Sequence, residues 1–292
     1  MDAAAISKKR DPGTDKMRRR EIVNIIKGIQ TSDGAGVNLT RIIGSPELDM
    51  LDPFLLLDEF GSDDPNDYMA GFPPHPHRGF ETITYMLNGK FRHKDSAGNE
   101  GYLTDGSVQW MTAGRGVIHS EMPEQTEGLA RGFQLWLNLP KKLKMIDPSY
   151  ADIPAKDIPC IEFKGGKATI IAGTFQGVTG PGRPHTGMLY HDIHLDKDSK
   201  FELDIARGWN AFIYIYEGNV KLGKAIYKGQ LAVLEQDGTL CLTAGHGGAQ
   251  FILVAGEPLN EPVARGGPFV MNTRAEVMQA FEDYQNGVLD KS

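Results

Sequence analysis

The sequence predicts an all-β protein of two related β domains, closed by one C-terminal helix. Three observations carry this. Short segments rich in Val, Ile, Thr, Tyr and Phe alternate with glycine and Asn/Asp turns over most of the chain. A segment of the first half has a counterpart in the second. A helical apolar period is found only at the end.

Residues 1–33 begin with the basic leader "MDAAAISKKRDPGTDKMRRR" and run into the first strand region. The leader has no apolar stretch of signal-peptide length, and no run elsewhere approaches a membrane span. A cytoplasmic protein is expected, with the basic runs at 8–10 and 18–20 readable as a nuclear address in a eukaryotic source. Residues 34–145 form the first domain, where "TITYMLNGKFRH", "GYLTDGSVQWMTAG" and "RGFQLWLNLP" have the composition and turn spacing of a sandwich or barrel. Residues 146–160 lie in "KKLKMIDPSYADIPAKDIP", which holds three prolines in nineteen residues and reads as a connector, since proline cannot donate to a sheet ladder.

Residues 161–262 give a second series of strands. Here "AFIYIYEGN" at 211–219 overlays "TITYMLNGK" at 82–90, an apolar strand ending in a glycine turn, and this self-similarity points to two related domains. In the tail, 263–292, Thr273 and Glu276 form a capping box. Val277, Ala280, Phe281 and Tyr284 fall on one helical face, and Gly287 supplies the stop.

The composition excludes several classes. A formal net charge of −7 argues against nucleic acid as a direct partner, because duplex binding needs a basic surface. Cys160 and Cys241 are the only cysteines and form no Cys-x-x-Cys pair, so neither a disulfide framework nor a thiolate zinc site is available. No membrane partner is expected.

The chemistry concentrates in two doublets. "PHPHRGFET" sets His75 and His77 two apart, and "GVIHSEMPE" does the same with His119 and Glu121. Residues i and i+2 of a strand share a face, so each doublet can present two ligands to one spot. Three imidazoles and one carboxylate suit a divalent first-row metal and leave room for water, oxygen or substrate. The expected arrangement is two strands on opposite walls of a barrel. Glu81 shares strand parity with His75 and His77. His93, among charges before a turn, reads as a surface residue, and His185 and His246, beside Pro or Gly, as loop residues. In the second half His191 and His194 are three apart and point to opposite faces, while Asp204 and Ala206 occupy the overlaid positions of the first histidine pair. That half is expected to be metal-free.

"HPHRGFETITYMLNGKFRHKDSAGNEG", "GSVQWMTAGRGVIHSEMP" and "GEPLNEPVARGGPFVMNT" resemble the pirin family of the cupin superfamily, over roughly residues 34 to 290. The resemblance implies a bicupin, two stacked antiparallel β-barrels. It also implies one mononuclear Fe(II) per chain in the N-terminal barrel, with other divalent first-row metals as alternatives. Carried over residue by residue, the pirin ligands fall on His75, His77, His119 and Glu121. The general cupin pattern, as in germin-like members, would recruit Glu81 instead; the pirin resemblance favours Glu121 and leaves Glu81 behind the ligands or in a structural role. Pirins resemble quercetin 2,3-dioxygenases, so a flavonol-like aromatic small molecule and O2 are the implied substrates, with Glu121 as ligand and catalytic base. "QW" at 109–110 and "FQLW" at 133–136 offer aromatic surface for a flat ligand. The alternative drawn from the same family is a metal-dependent, redox-sensing regulator that binds a transcription factor or metabolic enzyme. A sugar isomerase cupin would not carry the pirin signature.

Overall fold

A computed structural model describes residues 18–96 and 98–291. The basic run at 8–10 lies outside the described residues. The architecture is the expected all-β bicupin, two antiparallel barrels and a terminal helix. Among the described residues no helix is long and apolar enough to cross a membrane.

The first barrel is made of two facing sheets. The larger has seven strands in the order Ser149–Ile153, Val108–Thr112, Phe80–Asn88, Ala130–Asn138, Phe54–Ser62, Val37–Ile43 and Ile29–Asp33. The smaller has four, ordered Phe72–His77, Val117–Pro123, Phe91–Asp95 and Glu100–Leu103. Phe80–Asn88 is buried nearly end to end, because one face lines the barrel and the other packs on the second half. A strand covered on both faces reads as a continuous apolar run.

The second half repeats this order. Gln230–Leu234, Asn210–Leu222, Thr239–Gly256, Met188–Leu195 and Gly166–Ala172 follow one another in one sheet. They match in sequence Val108–Thr112, Phe80–Asn88, Ala130–Asn138, Phe54–Ser62 and Val37–Ile43. The overlaid segments therefore hold the same central place in both sheets.

The halves are not separated by the boundaries the prolines suggest. Ile22–Lys27 pairs with Gln230–Leu234 of the second half, while the connector contributes Ser149–Ile153 as an edge strand on Val108–Thr112. Proline is tolerated beside an edge strand, so three prolines did not exclude one there. The basic run at 18–20 is likewise no free leader: Arg18 pairs with Glu235 and Asp237, and buried Arg20 donates to the carbonyls of Gly238, Trp209, Glu235, Ile205 and Ala206.

A single apolar core joins the two halves, with Ile83, Tyr85, Phe133 and Leu135 from the first and Tyr190, Phe212, Tyr214 and Ile252 from the second. The second barrel's own interior is filled by side chains such as Ile193, Phe201, Ile213 and Phe251.

Helix Arg274–Gln285 has the capping box, with Glu276 N donating to Thr273 Oγ1 and Thr273 N to Glu276 Oε2. Val277 and Ala280 are buried and Phe281 packs edge-on to Phe269, while Tyr284 stays exposed. The buried stripe is therefore narrower than the sequence suggests. Gly287 follows with φ +66°.

Candidate metal centre

The two doublets meet on neighbouring strands. Val117–Pro123 runs antiparallel to Phe72–His77, placing His119 opposite His75 and Val117 opposite His77, with an irregularity between His119 and Glu121. The expectation of opposite walls is thus corrected. Directly opposed residues of an antiparallel pair hold their Cβ atoms about 5 Å apart, so one ladder suffices to bring both doublets together. The facing wall belongs to the seven-stranded sheet, through Thr84, Gln134 and Trp136.

The rings of His75 and His119 lie 4.4 Å apart between centroids, His75 and His77 4.7 Å, and His77 and His119 5.0 Å. One nitrogen from each falls within 4.8 Å of the others. His75 Nδ1 donates to the Pro73 carbonyl at 2.8 Å, which leaves Nε2 with a free lone pair. His77 and His119 are buried, and burial lowers the pKa of all three rings, so they stand neutral and ready to ligate. Glu121 is 6% exposed, and burial pushes its carboxyl up to about 7 against the opposing Thr84 hydroxyl, which lies 3.2 Å from Oε1.

The three imidazoles fit a divalent first-row ion, and Glu121 adjoins them through His119 rather than grouping with His75 and His77. His77 Nδ1 and His119 Nε2 are buried with no hydrogen-bond partner among the described residues, a cost of about 1–3 kcal/mol each unless something binds them. A buried carboxylate also needs a countercharge. A dication among these groups answers both demands with borderline nitrogen and hard oxygen ligands.

His93 is not a surface residue. It is fully buried on Phe91–Asp95, opposite Glu121 in register, stacked on Tyr150 at 4.3 Å. With His119 and Glu121 it forms a second group whose ligand atoms lie within 4.8 Å of one another. The flanking charges concealed a strand alternation in which Phe91 and His93 point in while Arg92 and Lys94 point outward. That alternation was the signal in the sequence that could have found it.

Glu81 stands apart. Its Oε1 accepts from Trp110 Nε1 at 3.1 Å, Thr112 Oγ1 at 3.0 Å and His185 Nδ1 at 3.0 Å, and Oε2 accepts from the His185 backbone N–H at 3.2 Å. It shares parity with Ile83 and Tyr85, which face the second half, whereas Thr84 faces the cavity. The count from His77 to Glu81 fails because Gly79 interrupts the strand with φ +91°. A Cβ there would sit 2.0 Å from the Val270 carbonyl, so only glycine fits. His185, expected as a plain loop residue, is the partner that ties Glu81 to the second half, and this pairing raises its pKa. His246 is exposed and pairs with Asp198 at 2.8 Å, within the long strand Thr239–Gly256 rather than a loop.

A cavity of about 880 Å³ opens onto these residues, its wall including His75, His77, Glu121, Phe72 and Trp136. Trp136 lies 5.2 Å from the His77 ring and carries the Arg265 guanidinium over its face at 5.2 Å. Trp110, by contrast, is buried in the shared core and offers nothing to the cavity.

Two related barrels, one with a histidine and carboxylate cluster under an open cavity and the other packed solid, define a bicupin of the metal-site type. The first barrel matches the pirin model over residues 36–137 and the second the pirin C-terminal cupin domain over residues 190–290. The chain belongs to the pirin family. It is 48% identical to a Pseudomonas aeruginosa protein named "Putative quercetin 2,3-dioxygenase", over 93% of this chain and 99% of that one. It is 47% identical to a Caulobacter vibrioides pirin-like protein, over 92% and 98%. The crystal structure of quercetin 2,3-dioxygenase from Acinetobacter baumannii superposes with a TM-score of 0.87 at 33% identity, covering 93% of this chain and 99% of that one.

Proposed function

We propose that this pirin is a flavonol 2,3-dioxygenase with one Fe(II) per chain, held by His75, His77, His119 and Glu121, with Glu121 also the catalytic base. The observation that carries the reading is Glu121 itself, a buried carboxyl next to His119 at the edge of a cavity large enough for a flat aromatic. A deprotonated carboxylate facing the cavity is the group that can accept a weakly acidic hydroxyl proton. The names of the similar proteins point to the same substrate class.

When bound, the iron supplies Lewis acidity and a place to hold substrate and oxygen side by side. The protein does the rest. Three neutral imidazoles and one carboxylate leave a dication with one positive charge, which a flavonolate neutralises. Glu121 takes the 3-hydroxyl proton, and the Thr84 hydroxyl stays within 3.2 Å of Oε1 to hold the carboxylate in place. Trp136 and Phe72 give the cavity apolar walls that orient a flat ligand and displace water.

The test is anaerobic loading with Fe(II), then oxygen uptake with quercetin. Glu121→Gln should keep its shape and lose kcat by a factor on the order of 10² or more, while Glu81→Gln loses much less. Uptake by the parent no greater than that of free iron overturns the enzyme in favour of the redox-sensing regulator. A dead Glu81→Gln with an active Glu121→Gln overturns the choice of carboxylate.

A further inference from the structure

We infer that His93 is a positioning residue for the metal centre: its Nδ1 accepts the Nδ1–H of His119 and so fixes the tautomer in which His119 offers Nε2 to a divalent ion. This rests on the metal-site reading above.

His119 is 1% exposed, and its Nδ1 lies 3.4 Å from His93 Nδ1. Its Nε2 has no hydrogen-bond partner among the described residues. Two imidazole nitrogens facing each other can share one proton, so one ring donates and the other accepts. A neutral ring that ligates through Nε2 carries its proton on Nδ1. The donor is therefore His119 and the acceptor His93. With the proton on Nε2 instead, His119 would aim an N–H at the ion and lose the lone pair that binds it.

His93 is built to stay in that role. Its own proton then sits on Nε2, which is buried beside the Gln109 side chain with no hydrogen-bond partner among the described residues. The Gln109 amide nitrogen donates to the Tyr150 hydroxyl and lies 3.4 Å from Asp152 Oδ1. Tyr150 stacks on His93 with 27° between the planes, and its hydroxyl donates to Asp152 Oδ1 at 2.8 Å. The support thus runs from a buried histidine out to the exposed Asp152, through Val108–Thr112 and the edge strand Ser149–Ile153. Partners of this kind that hold a ligating histidine in place typically change metal affinity 10–100-fold when removed.

The experiment loads the full chain with cobalt(II) and measures its dissociation constant by competition with a chelator. The variants are His93→Leu, His93→Asn, His77→Ala, His119→Ala and the double variant His93→Leu/His119→Ala, with circular dichroism to verify folding. His93→Leu should weaken binding about 10–100-fold, and the exchangeable, paramagnetically shifted proton NMR signal of the His119 ring should move or vanish. His93→Asn, whose Oδ1 can stand where Nδ1 stood, should bind to within a few-fold of the parent and keep that signal. In the His119→Ala background, adding His93→Leu should change nothing further. The inference is overturned if His93→Leu binds as tightly as the parent. It is equally overturned if folded His93→Asn is as weak as His93→Leu, or if the loss persists without His119, both of which would make His93 a ligand or a packing residue. A parent that binds no better than His77→Ala sinks the metal-site reading itself, a different failure.

Discussion

With the proposed ligand set, Glu121 sets the pH range over which the centre can be loaded. Its carboxyl sits at about 7 because it is buried, while burial keeps His75, His77 and His119 below the ordinary histidine value. An ion bound below neutrality therefore displaces one proton, from Glu121, and above neutrality none. Metal affinity should rise about tenfold per pH unit up to about 7 and then level off; calorimetry in buffers of different ionisation enthalpy counts the proton. A steeper rise would mean charged histidines, and a flat profile would remove Glu121 from the ligands. The same shift acts on folding. A carboxyl raised from 4.5 to about 7 contributes stability that is full below 4.5 and is lost as pH rises through 7. The metal-free protein should thus lose about 3 kcal/mol through this group between pH 4.5 and 7 at 1.36 kcal/mol per unit, and metal-free Glu121→Gln should be free of that loss in denaturant melts below pH 4.5 and above pH 7. The doublets were legible at this scale because spacing by two survives in any strand. His93 was read by its charged neighbours instead of by its alternation with Phe91. Glu81 was kept near the ligands because a residue count cannot see that Gly79 turns the chain.

The strand that carries His75 and His77 is anchored from behind by elements distant in sequence. Arg78, next to His77, is 2% exposed and pairs with Asp283 of the terminal helix at 2.6 Å, while also donating to the carbonyls of Arg115 and Leu289. Lys144 is buried as well and donates to the carbonyls of Gly79 and Val270 at 2.8 and 2.9 Å. Helix and strand are thus one mechanical unit around Gly79. Asp283→Asn leaves the Arg78 guanidinium buried without a countercharge, which should cost about 3 kcal/mol and lower metal affinity together with stability. Denaturant melts and metal titration of the same sample check both. A variant that loses stability but holds metal as well as the parent would show that the helix only caps the barrel. The helix itself was readable, since a capping box and an apolar stripe are local signals. Its docking was not, because the Arg78–Asp283 pair joins residues 205 apart. The strand inside the proline-rich connector was hidden for a related reason, as edge pairing depends on the neighbour and not on the segment's own composition.

At the scale of the whole molecule, one topology is used twice, and among the described residues the candidate ligand groups lie in the copy with the large cavity. The repeat was legible in nine residues of apolar strand and glycine turn, but the shared core was not, since apolar faces do not declare their partner. That core makes an isolated half a poor test of where metal binds, because cutting the chain would expose Tyr190, Phe212 and Tyr214. Stoichiometry in the intact protein is the sound measurement. In the second barrel the histidines do not converge with other candidate ligands among the described residues. His191 is fully buried beside Phe175 with neither ring nitrogen hydrogen-bonded among the described residues, while His194 Nε2 lies 3.2 Å from Asp192 Oδ2 and 2.9 Å from the Tyr216 hydroxyl. Asp204, at the overlaid position of the first doublet, accepts from Thr239 Oγ1 at 2.5 Å. Both groups of three candidate ligands found among the described residues lie instead in the four-stranded sheet of the first barrel. Metal analysis of protein purified without added metal, then titrated with Fe(II) under anaerobic conditions, should find one ion per chain. His77→Ala should abolish tight binding with the fold retained, because the packed cores stand without the ion, unlike those of small domains that fold around their metal. His191→Ala and His194→Ala should leave the stoichiometry unchanged. A second tight equivalent, or one that survives His77→Ala, would place a site in the second barrel and break the link between the open cavity and the metal; unfolding of His77→Ala would make the centre structural.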